Sequence, residues 1–154
     1  MNSSQQISIS LSIKEVKCLS FSLTEYAMKN KNPIKDDGYE FVYSGGFEIV
    51  ENEKIIKING ELKIFEKKDE TLKFELANLR SRSVVFIQNF DEVIKKTEPN
   101  HLFVPDNLIA LCQNIAVSSL RGMVSIKLDD TLYSNAVFPF IDMKLLAPKV
   151  STAQ

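Results

Sequence analysis

The sequence contains no tryptophan, a single histidine and only two cysteines. His101, Cys18 and Cys112 stand far apart, and no paired metal-ligand spacing accompanies them. His101 has no serine, cysteine or carboxylate arranged near it in the chain for acid–base or nucleophilic work. The sequence therefore predicts no catalytic residue, no metal site and no cofactor. The formal net charge of −1 lacks the basic excess that nucleic acid or an anionic membrane surface attracts. No apolar run approaches the roughly 20 residues that span a bilayer, so membrane insertion is not expected. The start, "MNSSQQ", is polar and has no basic segment followed by an apolar one. Two cysteines inside apolar segments read as small buried residues of a reducing compartment, which points to the cytoplasm. There is no internal repeat and no low-complexity segment.

What is present is an ordinary globular composition, 44% hydrophobic and 25% charged over 154 residues. That suits one domain with one real core. We expect a disordered start over residues 1–6, a domain over 7–146 and a flexible tail over 147–154.

Ile7, Ile9, Leu11 and Ile13 alternate with polar residues, and alternation resumes at Leu19, Phe21 and Leu23, with a bend between the halves. Lys29 to Gly38 is a loop by composition. Tyr39, Phe41 and Tyr43 share one side of the next strand, where Gly45-Gly46 predicts a bulge. Ile56, Ile58, Leu62 and Ile64 share a side of a third strand, with Gly60 as a second expected bend. "EKKDE" is a hairpin turn, and Thr71 to Phe90 a fourth strand, long or broken near Ala77 to Arg82. Its Val84–Ile87 portion is apolar on both faces. "DEVIKKTEPN" allows one helical turn and then a loop ending at Pro99. A long helix follows Pro105, with Gly122 inside it. After Asp129-Asp130 we expect an extended crossover, then a short helical turn near Asp142 to Leu146. Strands first and helix last indicate α+β: a four-stranded antiparallel sheet with a long helix on one face.

That helix has too little polar surface. Leu108, Leu111, Cys112, Ile115, Ser119, Gly122 and Ile126 form one stripe at spacings of three and four. Ile109, Ala116, Leu120 and Met123 form a second, and Ala110, Val117, Val124 and Leu128 a third. A helix apolar nearly all round is normally buried nearly all round, and one small sheet covers about half of it. Either a second copy of the chain covers the rest, through Leu108, Cys112, Ile115, Ser119, Gly122 and Ile126, or the chain's own C-terminal segment caps it.

The order of these segments resembles the SecB-type export chaperones. "KEVKCLSFSL" (Lys14 to Leu23) is similar to that family's first strand, with Leu19, Ser20 and Phe21 in its Leu/Ile-Ser-Phe pattern. "TLKFELANLRSRSVVFIQNF" resembles its fourth strand. "EPNHLFVPDNLIALCQNIAVSSLRGM" is similar to its Pro-Asn, Leu-Phe, Pro and long-helix run. Ser119 and Arg121-Gly122 fall where its Ser-Arg-Gly falls, with Leu120 inserted. "VFPFID" resembles the motif after the helix. The resemblance implies a tetramer built as a dimer of dimers that holds unfolded client polypeptides without ATP. It also brings the SecA motor into view as a partner. The end of this chain, "APKVSTAQ", has no acidic tail for SecA, so a chaperone accompanying a toxin–antitoxin pair fits equally.

On this reading Val84, Phe86, Phe90, Tyr133 and Phe138 are the candidate client-binding residues, with plain core as the competing role for each. Two further classes stay open: a structural or adaptor oligomer without clients, and a small-ligand-binding α+β domain.

Overall fold

A computed structural model describes residues 7–141 and 149–152. The expected helical turn near Asp142 to Leu146 and the expected disorder of residues 1–6 lie outside the described residues.

Four strands pair antiparallel: β1 (Leu11–Leu23), β2 (Tyr39–Val50), β3 (Ile55–Lys67) and β4 (Lys73–Ile87). The order across the sheet is β1-β4-β3-β2. β2, β3 and β4 form a meander, and the segment after β1 carries the chain across to the far edge. That segment is more structured than its composition suggests. Thr24 caps a short helix, α1 (Glu25–Lys29), by accepting from the Ala27 N–H, and a 3₁₀ turn covers Asp36–Gly38. At the β3–β4 turn, Asp69 accepts from the N–H groups of Thr71 and Leu72, both at 2.8 Å.

Alternation sets the faces. In β3 the even-numbered residues from Ile56 to Glu66 are buried and the odd-numbered ones are half-exposed. In β4 the odd-numbered residues from Ala77 to Ile87 face the same way, opposite their β3 partners. Val85 and Ile87 are thus core, while Val84 and Phe86 lie on the other side. β1 bulges twice, between Ile13 and Glu15 and between Cys18 and Ser20, which is the bend its interrupted pattern predicts. No bulge stands at Gly45-Gly46. β2 and β3 pair without a break through Gly45, Gly46 and Gly60. The glycines are there for space. A Cβ on Gly45 would strike the Tyr43 ring, and one on Gly60 would sit 3.0 Å from Leu120 Cδ1.

Phe90–Val93 is the expected helical turn, α2. Beyond it the expected loop is a hairpin, β5 (Lys95–Glu98) with β6 (His101–Phe103), turned by Asn100 at φ 71°. The long helix, α3, runs Asp106–Leu128 without interruption at Gly122. Pro105 stands at its N-cap, and Asp106 supplies a favourable charge to the first turn. A last strand, β7 (Lys149–Thr152), runs parallel to β2 along Gly46–Ile49.

α3 lies across the sheet and closes two core clusters. Leu108, Cys112 and Ala116 pack on Ile56, Ile58, Val85, Ile87, Phe90 and Val93. Val117, Leu120, Val124 and Leu128 pack on Leu62, Ile64, Leu79, Tyr133 and Phe138. By length and composition alone α3 is apolar enough to cross a membrane. That differs from the reading that no segment approaches such a length, and here one stripe of the helix forms the core of the domain.

Candidate interaction surface

The sheet covers one side of α3 and leaves the other open. From Asn107 to Leu120 no residue of the helix carries a charge. Its one arginine is turned away from the open face. Arg121 donates from Nε to the Phe138 carbonyl at 3.0 Å and from a terminal nitrogen to the Pro139 carbonyl at 2.9 Å. Its guanidinium also stacks on the Phe140 ring, 4.3 Å from the centroid. Outward lie Leu111, Ile115, Ser118, Ser119, Gly122 and Ile126, flanked by the exposed polar residues Asn107, Asn114, Ser125 and Lys127. Ile126 is 78% exposed, and a Cβ on Gly122 would meet nothing within 4 Å. This is an apolar strip with a smooth centre, in a protein where a quarter of the residues are charged.

The strip continues toward the β1 edge. Ile13 and Val16 pair with Val85 and Ser83, so they lie on the α3 side of the sheet, yet they are 53% and 44% exposed. The outer edge of β1 pairs with no strand among the described residues. An edge of this kind is open to further pairing, which bulges and lysines temper.

Two cavities flank the first turns of α3. One, of about 390 Å³, lies beneath the β5–β6 hairpin and is lined by Leu102, Phe103, Val104 and Ile109 with Thr97 and His101 at its rim. The other, of about 620 Å³, lies between the chain before β1 and the helix, lined by Ile7, Ile9, Ala110 and Leu111 with Ser8, Asn107 and Asn114. Sequence reading missed both. The hairpin that builds the first has the composition of a loop, and the second needs contacts across about a hundred residues of chain.

The candidate residues separate accordingly. Phe90, Tyr133 and Phe138 are core, 4%, 2% and 2% exposed, the competing role weighed for each in the sequence. Tyr133 is held there by donating to the Ala27 carbonyl at 2.7 Å, and Phe138 packs against Phe41 and Tyr43. Val84 and Phe86 are half-buried on the opposite face of the sheet, where Lys14 lies over the Phe86 ring. Of the interface candidates, Leu108 and Cys112 are fully buried against the sheet, which corrects their placement on an outer stripe. Ile115, Ser119, Gly122 and Ile126 do face outward. The reason is geometric. α3 rotates relative to the sheet along its length, so a stripe that is inward at Leu108 is outward at Ile126.

Chemistry of an enzymatic kind is sparse. Among the described residues no group of three or more His, Cys, Asp or Glu side chains is placed to hold a metal. Burial pushes the Cys112 thiol up to about 12, far from a reactive thiolate. His101 is exposed on the hairpin.

No family model matches this chain, and no curated protein matches it. Among solved structures it is similar to a SecB-like chaperone of Mycobacterium tuberculosis in complex with a peptide from the HigA1 antitoxin. The TM-score is 0.55 at 7% identity, covering 86% of this chain and 90% of that one. The likeness establishes a SecB-like α+β fold. A protein of unknown function from Streptococcus agalactiae also aligns, at 18% identity and a TM-score of 0.35, over 87% of this chain and 100% of that one; at that score it carries no argument.

Proposed function

We propose that the protein is an ATP-independent holdase of the SecB type. It binds non-native or unstructured polypeptide through exposed apolar surface and assembles from several copies as a dimer of dimers. The single observation that carries this reading is the charge-free outward strip of α3 beside two apolar cavities. A contiguous patch of this kind on a soluble domain marks an interaction site. The strip from Ile115 through Ser119 and Gly122 to Ile126 is the surface for a second copy, because small residues at its centre allow helices to approach closely. The cavities at Ile109 and Leu111 are the places for client side chains. The fold likeness to a SecB-like chaperone found in complex with an antitoxin peptide supports a chaperone role. It also favours a client within a toxin–antitoxin pair over a role in export through SecA. A weakly bound, unfolded client gains affinity from several grooves on one assembly. The site lies on a cytoplasmic protein in this reading.

The test is suppression of aggregation. Light scattering from a denatured client is followed with the protein present at substoichiometric tetramer, after its oligomeric state is measured by size-exclusion chromatography with multi-angle scattering. Suppression that weakens in Phe103→Ser and Leu111→Ser supports the reading. Unchanged client aggregation at every ratio leaves a structural oligomer, the second class considered above.

A further inference from the structure

The face of the sheet opposite α3 is charged, and its charges are unevenly satisfied. The register sets them in rows. Glu15, Val84, Lys57 and Glu48 make one row, in which Lys57 pairs with Glu48 at 3.6 Å. Glu15 instead pairs with Lys17 of the next row at 3.5 Å. That next row is Lys17, Arg82, Asn59 and Gly46, and the one after it Ser20, Arg80, Glu61 and Ser44. Arg80 and Arg82, two residues apart on β4, stand side by side at the centre of this face. Neither has a carboxylate within ion-pair distance among the described residues. Arg82 makes one long contact, from Nε to Asn59 Oδ1 at 3.4 Å. The carboxylate opposite Arg80, Glu61, instead accepts from the Asn78 amide at 2.8 Å.

Beside the two guanidinium groups lies a trough of about 430 Å³. Leu19, brought to it by the second β1 bulge, forms one edge, and Ser44, Gly46 and Asn59 form the other. The floor is shallow because β2 offers a hydroxymethyl and a bare backbone where longer side chains would fill the space. Unpaired, planar, bidentate donors next to an unfilled recess and an exposed leucine are suited to a carboxylate with an apolar neighbour.

We propose that this face is a second docking surface, for an acidic linear segment of another polypeptide, whose carboxylates engage Arg80 and Arg82. It goes beyond the chaperone reading, uses the opposite side of the sheet and stands whether or not that reading does. Polyphosphate is the wrong occupant. Glu15 and Glu48 pair with Lys17 and Lys57 on the same face, Glu61 stands beside Arg80, and nucleic acid needs a longer run of unpaired cations than these arginines offer.

The test is fluorescence anisotropy on the full chain with a fluorescein-labelled peptide of alternating glutamate and leucine. Its glutamine–leucine counterpart and a labelled single-stranded oligonucleotide serve as comparators. The acidic peptide is expected to bind, more weakly as salt rises, and the double variant R80Q/R82Q to weaken it up to roughly tenfold, as two surface charge pairs, one exposed and one half-buried, supply. Lys63→Gln removes a charge from the same face outside the trough and leaves binding within about twofold. Ser44→Leu fills the trough while keeping both arginines and weakens binding as well, which keeps the question decidable should the double variant melt early. Equal affinity for the glutamate and glutamine peptides overturns the proposal. So does acidic-peptide binding indifferent to both variants, or tighter binding of the oligonucleotide.

Discussion

Single residues in this protein act mostly by deciding what fits. Gly60 is buried at the crossing of α3 and the sheet, where a Cβ would lie 3.0 Å from Leu120 Cδ1 and 3.1 Å from Ser81 Oγ. Gly60→Ala therefore costs about 1–3 kcal/mol by overpacking, read as a lowered midpoint in urea; an unchanged midpoint means α3 does not press on the strand there. Burial of Cys112 keeps its thiol near 12, whereas Cys18 is only half-buried. A thiol reagent at mildly alkaline pH is expected to label Cys18 in the native protein and Cys112 only after unfolding. Native-state labelling of both would show that α3 leaves the sheet readily. At the end of the sheet, burial alone would raise the Glu66 carboxyl, but hydrogen bonds from Lys68 and Tyr26 outweigh it and hold it below the ordinary value. A pKa lower in the folded than in the unfolded state stabilises the fold above the unfolded pKa, and that contribution is lost as pH falls through the folded one. Glu66→Gln should lower the melting temperature at neutral pH, with the gap to wild type closing in acid. A gap that is constant with pH assigns the loss to packing.

Among the elements, α3 carries the competing demands. Its inward residues hold two core clusters together, and its outward ones are left apolar and small. Gly122 makes the two demands separable. In an isolated protomer Gly122→Ala gains about 1 kcal/mol of helix propensity and meets no neighbour. If a second copy packs on this point, the same methyl obstructs it and Gly122→Glu obstructs it more. We expect Gly122→Glu to shift the species seen by light scattering toward monomer while the far-ultraviolet circular dichroism stays that of the wild type. A variant that assembles like the wild type removes this strip from the interface. The strap after α3 depends on the same turn of helix. Arg121 makes both hydrogen bonds to the carbonyls of Phe138 and Pro139, so Arg121→Ala loosens the segment that buries Phe138. The expected loss is about 1–3 kcal/mol in chemical denaturation.

For the whole molecule, the proposed assembly has a thermodynamic signature. A protein whose folded form is held by copies of itself melts at a temperature that rises with concentration. Scanning calorimetry across a hundredfold range of protein concentration should show that rise for the wild type, and a flatter dependence for Gly122→Glu. A concentration-independent midpoint in the wild type would indicate that one copy shelters α3 sufficiently. The two sides of the sheet then have different work. In the proposed reading, one side with α3 would offer apolar surface to copies and clients, and the other would offer to carboxylates two arginines that lack an ion-pair partner among the described residues. A molecule built so can hold an unfolded segment on one side while a folded partner's acidic tail docks on the other.

Much of this was already determined by the order of residues. Alternation at Ile56 to Ile64 and at Tyr39 to Tyr43 marked strands and their inner sides, because a pleated strand has a period of two and one side must be dry. Apolar residues recurring in several stripes from Leu108 to Leu128 marked one long helix. Tertiary structure alone decided which apolar residues are spent on the core. Phe90, Tyr133 and Phe138 read as core or groove alike in isolation, and each fills space made by distant strands. The rotation of α3 on the sheet sends Leu108 and Cys112 inward and Ile126 outward, though all follow the same spacing. The hairpin at Lys95 to Phe103 and the strand at Lys149 to Thr152 were likewise invisible, since short strands gain stability from a partner and not from their own few residues. Periodicity is local and names a face; what covers that face is set by contacts between segments far apart in the chain.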